Sequence, residues 1–79
     1  MSDAIIHHIN VSYDESDARV VAFVKHLKYA EGELEGYYRN ALAEKDGKTY
    51  ATDREGNEFT LVASPGHNCL LYLRGTEKL

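Results

Sequence analysis

The sequence has one cysteine, one proline and no tryptophan among its 79 residues. The single cysteine, Cys69, excludes an intramolecular disulfide and leaves no multi-cysteine zinc site. A chain of this length buries only about 60% of the surface that its unfolded form exposes. The hydrophobic core must therefore be thin, and packing has to stabilise it without covalent cross-links.

Long apolar runs are also missing. No segment approaches the roughly 20 residues that a membrane-spanning helix needs. The first stretch, MSDAIIHHIN, carries an aspartate, no basic n-region and only a pair of consecutive apolar residues, which differs from a secretory signal peptide. We therefore expect a soluble, cytoplasmic protein, and a free thiol fits that location.

Basic residues are few: nine Lys and Arg stand against thirteen Asp and Glu, and the formal net charge is −4. No group of Lys and Arg is longer than an isolated pair. A phosphate backbone requires an opposing basic stripe, so the composition argues against direct nucleic-acid binding and against docking on anionic membranes.

The sequence has no recognisable motif for catalysis, a cofactor or a metal. Its glycines match no phosphate-binding pattern, and no carboxylate lies in an apolar segment that would tune it for acid–base work. His67 and Cys69 could join His7 or His8 around zinc, but adjacent strand residues point to opposite faces and His67 lies in a turn. We predict a non-enzyme without cofactor or metal, with His7 facing the core, His8 exposed and Cys69 buried.

The first half of the chain shows two hydrophobic periods. Residues 4–13 alternate with period two, which predicts one half-buried strand. Ser12 and Glu15 match a capping box at the start of a helix, and Gly32 is its expected stop. Phe23 and Ala30 flank the stripe of this predicted helix, which consists of Val20, Val21, Val24, Leu27 and Lys28.

Residues 33–46 fit two structures. From Leu34 onward, apolar side chains recur at i, i+3, i+4, i+7 and i+8, as on one face of a helix. Against this, Asp46-Gly47 is a strong hairpin signal, and Gly36 lowers helix propensity. Both structures stay open, with the strand slightly favoured.

The last third of the chain contains three short β-type runs, KTYATD, EFTLVA and CLLYLR, separated by turn sequences. Pro65-Gly66 suits the central positions of a type II turn, and CLLYLR, apolar on both faces, should be a central strand. We predict one α+β domain over residues 1–79, with one principal helix on a four- or five-stranded, mainly antiparallel sheet in the order β-α-(β or α)-β-β-β. The sheet residues expected in its core are Ile5, Ile9, Phe59, Leu61, Leu71 and Leu73.

Acidic residues cluster at both ends of the predicted helix, about 17 helical residues or roughly 25 Å apart. A tyrosine pair adjoins the second cluster, and tyrosine is enriched at interfaces because it combines apolar area with a polar tip. The alternative is a solvated charged surface with one tyrosine packed inward. The candidate partner-binding residues are Asp14, Glu15, Asp17, Glu31, Glu33, Glu35, Tyr37 and Tyr38.

The leading hypothesis is a non-enzymatic protein-binding module that acts through this acidic, tyrosine-bearing surface on a partner with a basic patch. One form would be a stand-alone inhibitor or adaptor, such as phages and mobile elements encode, directed at a nucleic-acid-handling partner. The alternative is a homodimeric domain that binds a small ligand, with His7 or Tyr50 as polar contacts. A concave apolar pocket would favour the ligand, and a convex acidic surface would favour the protein partner.

Overall fold

The computed structural model describes residues 2–30 and 32–74, which form two helices and one five-stranded sheet. The elements in chain order are β1 Ser2–Ile6, β2 Ile9–Tyr13, α1 Ala18–Tyr29, α2 Glu33–Ala43, β3 Lys48–Thr52, β4 Glu58–Ser64 and β5 Asn68–Leu73. The strands lie in the order β1-β2-β5-β4-β3, with β2 and β5 parallel and the other neighbours antiparallel. The predicted α+β class and mainly antiparallel sheet are confirmed, but the element order is β-β-α-α-β-β-β.

The predicted first strand is a hairpin. Ile6 pairs with Ile9 across a two-residue turn at His7 and His8, both of which have positive φ. This turn moves the inward-facing positions from even numbers in β1 to odd numbers in β2. Ile6 therefore faces the core while Ile5 is 77% exposed, so the predicted core position of Ile5 is wrong.

Helix α1 begins later than predicted. Its N-cap is Asp17, whose carboxylate accepts a hydrogen bond from the Arg19 backbone amide, while Ser12 lies inside β2. The predicted capping box is therefore wrong. The helix ends at Tyr29, and Gly32, in the left-handed conformation, is the N-cap of α2 rather than the stop of α1. The residues that α1 buries are Val20, Phe23, Val24 and Leu27.

Residues 33–43 form a helix, so the preference for a strand here, and for one principal helix, is wrong. Helix α2 packs on β3 and β4. The packing of its apolar stripe outweighs the penalty of Gly36, about 1 kcal/mol relative to alanine. Asp46 and Gly47 connect α2 to β3 instead of forming a hairpin, and Asp46 accepts a hydrogen bond from the Lys48 amide. The buried residues of α2 are Leu34, Tyr38 and Ala41.

The core lies between the sheet and the two helices. As predicted, β5 is the central strand, and Gly66 in the turn before it has the expected positive φ, +85°. Phe23 of α1 stacks on Phe59 of β4, with ring centroids 4.3 Å apart. The predicted core residues that are buried are Ile9, Phe59, Leu61 and Leu71, and Leu73 is half-buried. No helix in the described part of the chain is both long enough and apolar enough to cross a membrane.

The two ends of the sheet carry different residues. One end has the β1–β2 and β4–β5 turns, and the other has the β2–α1 connection and the β3–β4 loop. We call the first the histidine end, after His7, His8 and His67. We call the second the acidic end, which carries Asp14, Glu15, Asp17, Asp53, Glu55 and Glu58.

Candidate functional site

The first predicted acidic cluster lies in the connection from β2 to α1. Asp14 accepts hydrogen bonds from the backbone amide and the hydroxyl of Ser16, at 3.0 and 2.7 Å. Asp17 accepts a bond from the Arg19 amide at 3.0 Å and contacts its guanidinium at 3.3 Å. These bonds, first of all those from the Ser16 and Arg19 side chains, lower the pKa of Asp14 and of Asp17. Both carboxylates therefore belong to the local fold as well as to the surface.

The fold brings a second acidic loop to the same end of the sheet. Asp53 accepts hydrogen bonds from the Glu55 and Asn57 amides at 2.9 and 2.8 Å, and from the Asn57 side chain at 2.9 Å. The Asn57 side-chain bond is the main cause that lowers the pKa of Asp53. Glu58 forms an ion pair with Arg74 at 2.7 Å. The sequence predicted a turn here but not its place in an acidic surface, because only the pairing of β2 with β5 brings it to the same end as Asp14.

The acidic end carries a net negative charge. Its six carboxylates and the three arginines at the same end, Arg19, Arg54 and Arg74, give a formal charge of −3. Asp3 of β1, which accepts a hydrogen bond from the Ser12 hydroxyl at 2.6 Å, adds a further negative charge near this end. Glu15 and Glu55 are exposed and extend from the two loops. Among the described residues, these two carboxylates make no hydrogen bond or ion pair, unlike the other four of this surface.

The second predicted acidic cluster is not assembled in the described residues. Glu33 accepts a hydrogen bond from the Tyr37 hydroxyl at 3.1 Å, whereas Glu35 lies 4.0 Å from the guanidinium of Arg39. Residues two apart on a helix are about 200° apart around its axis, so the two glutamates face different sides of α2. Glu31 lies outside the described residues.

Tyr38 is a core residue at the histidine end. It is 7% exposed, and its hydroxyl donates a hydrogen bond to the backbone carbonyl of Ser64. The same hydroxyl accepts a bond from the His67 amide at 3.1 Å, and the two rings stack with centroids 6.0 Å apart. Tyr38 therefore fixes the β4–β5 turn to α2.

The other predicted tyrosine, Tyr37, is half-buried and packs against the core. Burial, and after it the contact with Glu33, raises the pKa of Tyr37. Glu33 also lies 3.2 Å from Nε2 of His26. Tyr29, at the end of α1 where the two helices join, has a side chain that is 85% exposed. Tyr29 was not singled out from the sequence, although its place outside the predicted apolar stripe was a signal that could have shown its exposure.

Three histidines line a cleft that the sequence did not predict. The cleft, about 400 Å³ in volume, opens between α2 and the two turns of the histidine end. Its lining residues are His7, His8, Ile9, Glu35, Tyr38, Arg39, Leu42 and His67. We call it the histidine cleft. His8 is exposed as predicted, but His7 is exposed as well, because it lies in a turn and not in a strand, so its predicted core position is wrong.

These three histidines share an uncommon backbone conformation. The φ angles of His7, His8 and His67 are 49°, 71° and 61°, and no other non-glycine residue among those described has positive φ. One signal in the sequence could have located the turn. The apolar residues change parity around His7-His8, with Ala4 and Ile6 before the pair and Ile9 and Val11 after it.

The two polar contacts expected for the ligand-binding alternative do not share a site. His7 lines the histidine cleft, but Tyr50 is not among its lining residues. Tyr50 belongs to β3, and the guanidinium carbon of Arg74 lies 4.9 Å from the centroid of its ring.

Metal ligands are not grouped in residues 2–30 and 32–74, where no three His, Cys, Asp or Glu side chains are placed to hold a metal ion. Cys69 is buried as predicted, and burial raises the pKa of its thiol to about 11. The thiolate is the nucleophilic and metal-binding form, so Cys69 is suited to packing rather than to chemistry.

Comparison of the chain with protein-family models, curated proteins and solved structures found no match. Function is therefore inferred from the geometry of the two ends of the sheet.

Proposed function

We propose that the protein is a non-enzymatic protein-binding module whose acidic end contacts a basic patch on a partner protein. The observation that carries this proposal is the gathering of six carboxylates, from two separate segments of the chain, at one end of the sheet. The three arginines beside them leave a formal charge of −3.

The hydrogen bonds at this end support binding by a fixed surface. Asp14, Asp17 and Asp53 are held by backbone amides of their own loops. A surface that is ordered before binding loses less conformational entropy when the partner docks. Glu15 and Glu55, which extend from these ordered loops, are the residues that we expect to meet the partner's Lys and Arg side chains. An acidic surface of this kind raises the association rate with a basic partner and disfavours partners of like charge.

The charge also indicates which proteins are suitable partners. A protein that handles nucleic acid must oppose the phosphate backbone with a basic surface. The acidic end would compete for that surface, which is how a small inhibitor or adaptor of such a protein would act. A short DNA duplex added to the complex should then displace the protein from its partner.

Matched single-charge variants test the proposal. Glu15→Gln and Glu55→Gln each remove one exposed charge from the acidic end, and Glu44→Gln removes one exposed charge from the α2–β3 connection. Proteins retained from a lysate by the immobilised wild type are identified, and their affinities for the purified variants are measured from 0.1 to 1 M salt. The Debye length falls from about 10 to about 3 Å over this range.

The proposal predicts a basic partner whose affinity falls with salt. Glu15→Gln and Glu55→Gln should weaken binding mainly through a slower association rate, while Glu44→Gln should match the wild type. Equal affinities for all three variants, or an affinity that salt does not change, would contradict binding through the acidic end.

A further inference from the structure

The three histidines at the histidine cleft occupy left-handed positions for which glycine and asparagine are the usual residues. A left-handed conformation costs an ordinary residue about 1–2 kcal/mol, and glycine adopts it without this cost. A two-residue hairpin turn with positive φ at both central positions is the type I′ pattern, which favours Asn-Gly. His7 and His8 occupy those two positions, and His67 follows Gly66 in the other turn.

The fold makes little use of the imidazoles of His7 and His8, and it uses the imidazole of His67 in one contact, the stacking on the Tyr38 ring. No hydrogen bond joins the side chain of His7 or His8 to the rest of the described chain, and the bonds of His67 to Tyr38 and Asn10 use its backbone. Asparagine or glycine could make the same backbone bonds. Backbone strain that the fold does not require is a pointer to function. His26, the fourth histidine, lies in the regular backbone of α1 and outside the cleft.

The remaining lining residues complete a site of mixed chemistry. Arg39 brings a guanidinium, whose only ion-pair partner in the described chain, Glu35, lies 4.0 Å away and also lines the cleft. Leu42, which is 48% exposed, adds apolar surface, whereas Ile9 is only 2% exposed. A cleft of about 400 Å³ lies in the range of small-molecule sites, which combine apolar walls with a few polar groups.

We propose that the histidine cleft binds a small organic anion, with a carboxylate or phosphate group on an apolar body. The imidazoles of His7, His8 and His67 and the guanidinium of Arg39 would donate hydrogen bonds to the anionic group. Leu42 would contact the body of the ligand. Anions fit this set because guanidinium is a strong partner for carboxylate and phosphate. This site is separate from the acidic end and does not depend on the proposed protein partner.

An NMR titration tests the proposal with phenyl phosphate and benzoate as anionic probes and phenol as the neutral control. The imidazole resonances of the four histidines are followed in the intact protein. The variants are His7→Asn/His8→Gly, His67→Asn and Arg39→Gln, with His26→Asn as the control outside the cleft. Because Asn and Gly favour the left-handed region, the turn variants should keep the fold.

The proposal predicts saturable shifts at His7, His8 and His67 with either anion, and none with phenol. Each cleft variant should weaken binding by about tenfold or more, as expected for a lost charge-assisted hydrogen bond, while His26→Asn should bind normally. Three outcomes would overturn it: equal shifts with phenol, equal shifts at His26, or no response to either anion. A saturable response to Zn²⁺ in the absence of a response to the anions would assign the cleft to a metal instead.

Discussion

The chain reverses direction at both ends of the sheet, but the residues that form the turns differ between the two ends. At the acidic end, the loops use aspartates whose carboxylates accept the amides of the turn, as at Asp14 and Asp53. The β3–β4 loop also places a glycine, Gly56, where φ is +85°. At the histidine end, the β1–β2 turn has positive φ at two residues and uses His7 and His8 for both.

Turn formation accounts for the presence of some of these residues and not for that of others. Aspartate and glycine are the residues that turn chemistry favours, so the aspartates need no function to explain their positions. Histidine tolerates the left-handed region better than most residues, but asparagine and glycine do so too. Selection for the imidazole itself therefore explains the histidine end better than folding does. At the acidic end, the exposed glutamates Glu15 and Glu55 remain as the residues without a structural role.

The largest loss of unfolding free energy is expected where the histidine end is fixed to α2. Tyr38→Phe removes the buried hydroxyl that donates to the Ser64 carbonyl and accepts from the His67 amide. Each intramolecular hydrogen bond contributes about 0.5–1.5 kcal/mol net, so the loss of both should cost about 1–3 kcal/mol. Urea denaturation should show this loss of unfolding free energy.

Tyr37→Phe is the matched control for that measurement. It removes one hydroxyl hydrogen bond, to Glu33, where Tyr38→Phe removes two, so the loss should be smaller. Equal losses for the two variants would show that the Tyr38 hydroxyl has no special role in holding the β4–β5 turn.

The next largest loss of unfolding free energy is expected at the acidic end. Asp17→Ala removes the N-cap of α1 and should lower the unfolding free energy by about 1 kcal/mol, the typical cost of a lost cap. Asp17→Asn keeps the capping acceptor but removes the charge, and should retain most of the stability. If the asparagine variant is as unstable as the alanine variant, the charge rather than the hydrogen bond explains the role of Asp17.

The sequence predicted the parts of the fold that depend on local periodicity and turn residues. The central position of β5, the glycine turn at Gly66 and the burial of Cys69 were predicted from short stretches alone. The helix over residues 33–43 was not chosen, because Gly36 and Asp46-Gly47 favour a strand locally and only packing on β3 and β4 decides for the helix.

The candidate sites were harder to predict because both depend on contacts between distant segments. The acidic end requires the β3–β4 loop to lie beside Asp14, and the histidine cleft requires two turns to meet α2. Ile5 shows the same limitation on a smaller scale. Period two through residues 4–13 describes one strand well, and only a turn at His7-His8 reveals that Ile5 faces outward.

A third prediction concerns the stability of the protein at acidic pH. The pKa values of Asp14, Asp17 and Asp53 are lowered in the fold relative to an unfolded aspartate, about 3.9. Their ionised forms therefore contribute stability above that pH, and the contribution is lost as the pH falls through the folded-state values. Urea denaturation should show unfolding free energy falling below about pH 4. The Asp14→Asn/Asp17→Asn/Asp53→Asn variant should show a shallower fall, and an unchanged slope would assign acid sensitivity to other groups.

The smallest change in unfolding free energy is expected for substitutions of the exposed glutamates. Glu15→Gln and Glu55→Gln should each change the unfolding free energy by no more than about 0.5 kcal/mol, the range for most surface substitutions. Thermal melts at neutral pH would check this. A loss well beyond that range would give these residues a structural role and remove the basis for assigning them to partner binding.

The stability of His7→Asn/His8→Gly tests the contrast between the two ends most directly. The variant replaces the strained pair by the pair that a type I′ turn favours, so its unfolding free energy should exceed that of the wild type by about 1 kcal/mol. Asp53→Ala, the corresponding change in a loop of the acidic end, should instead destabilise the protein. If His7→Asn/His8→Gly is also less stable than the wild type, the histidines contribute to folding, and their positions no longer point to a binding site.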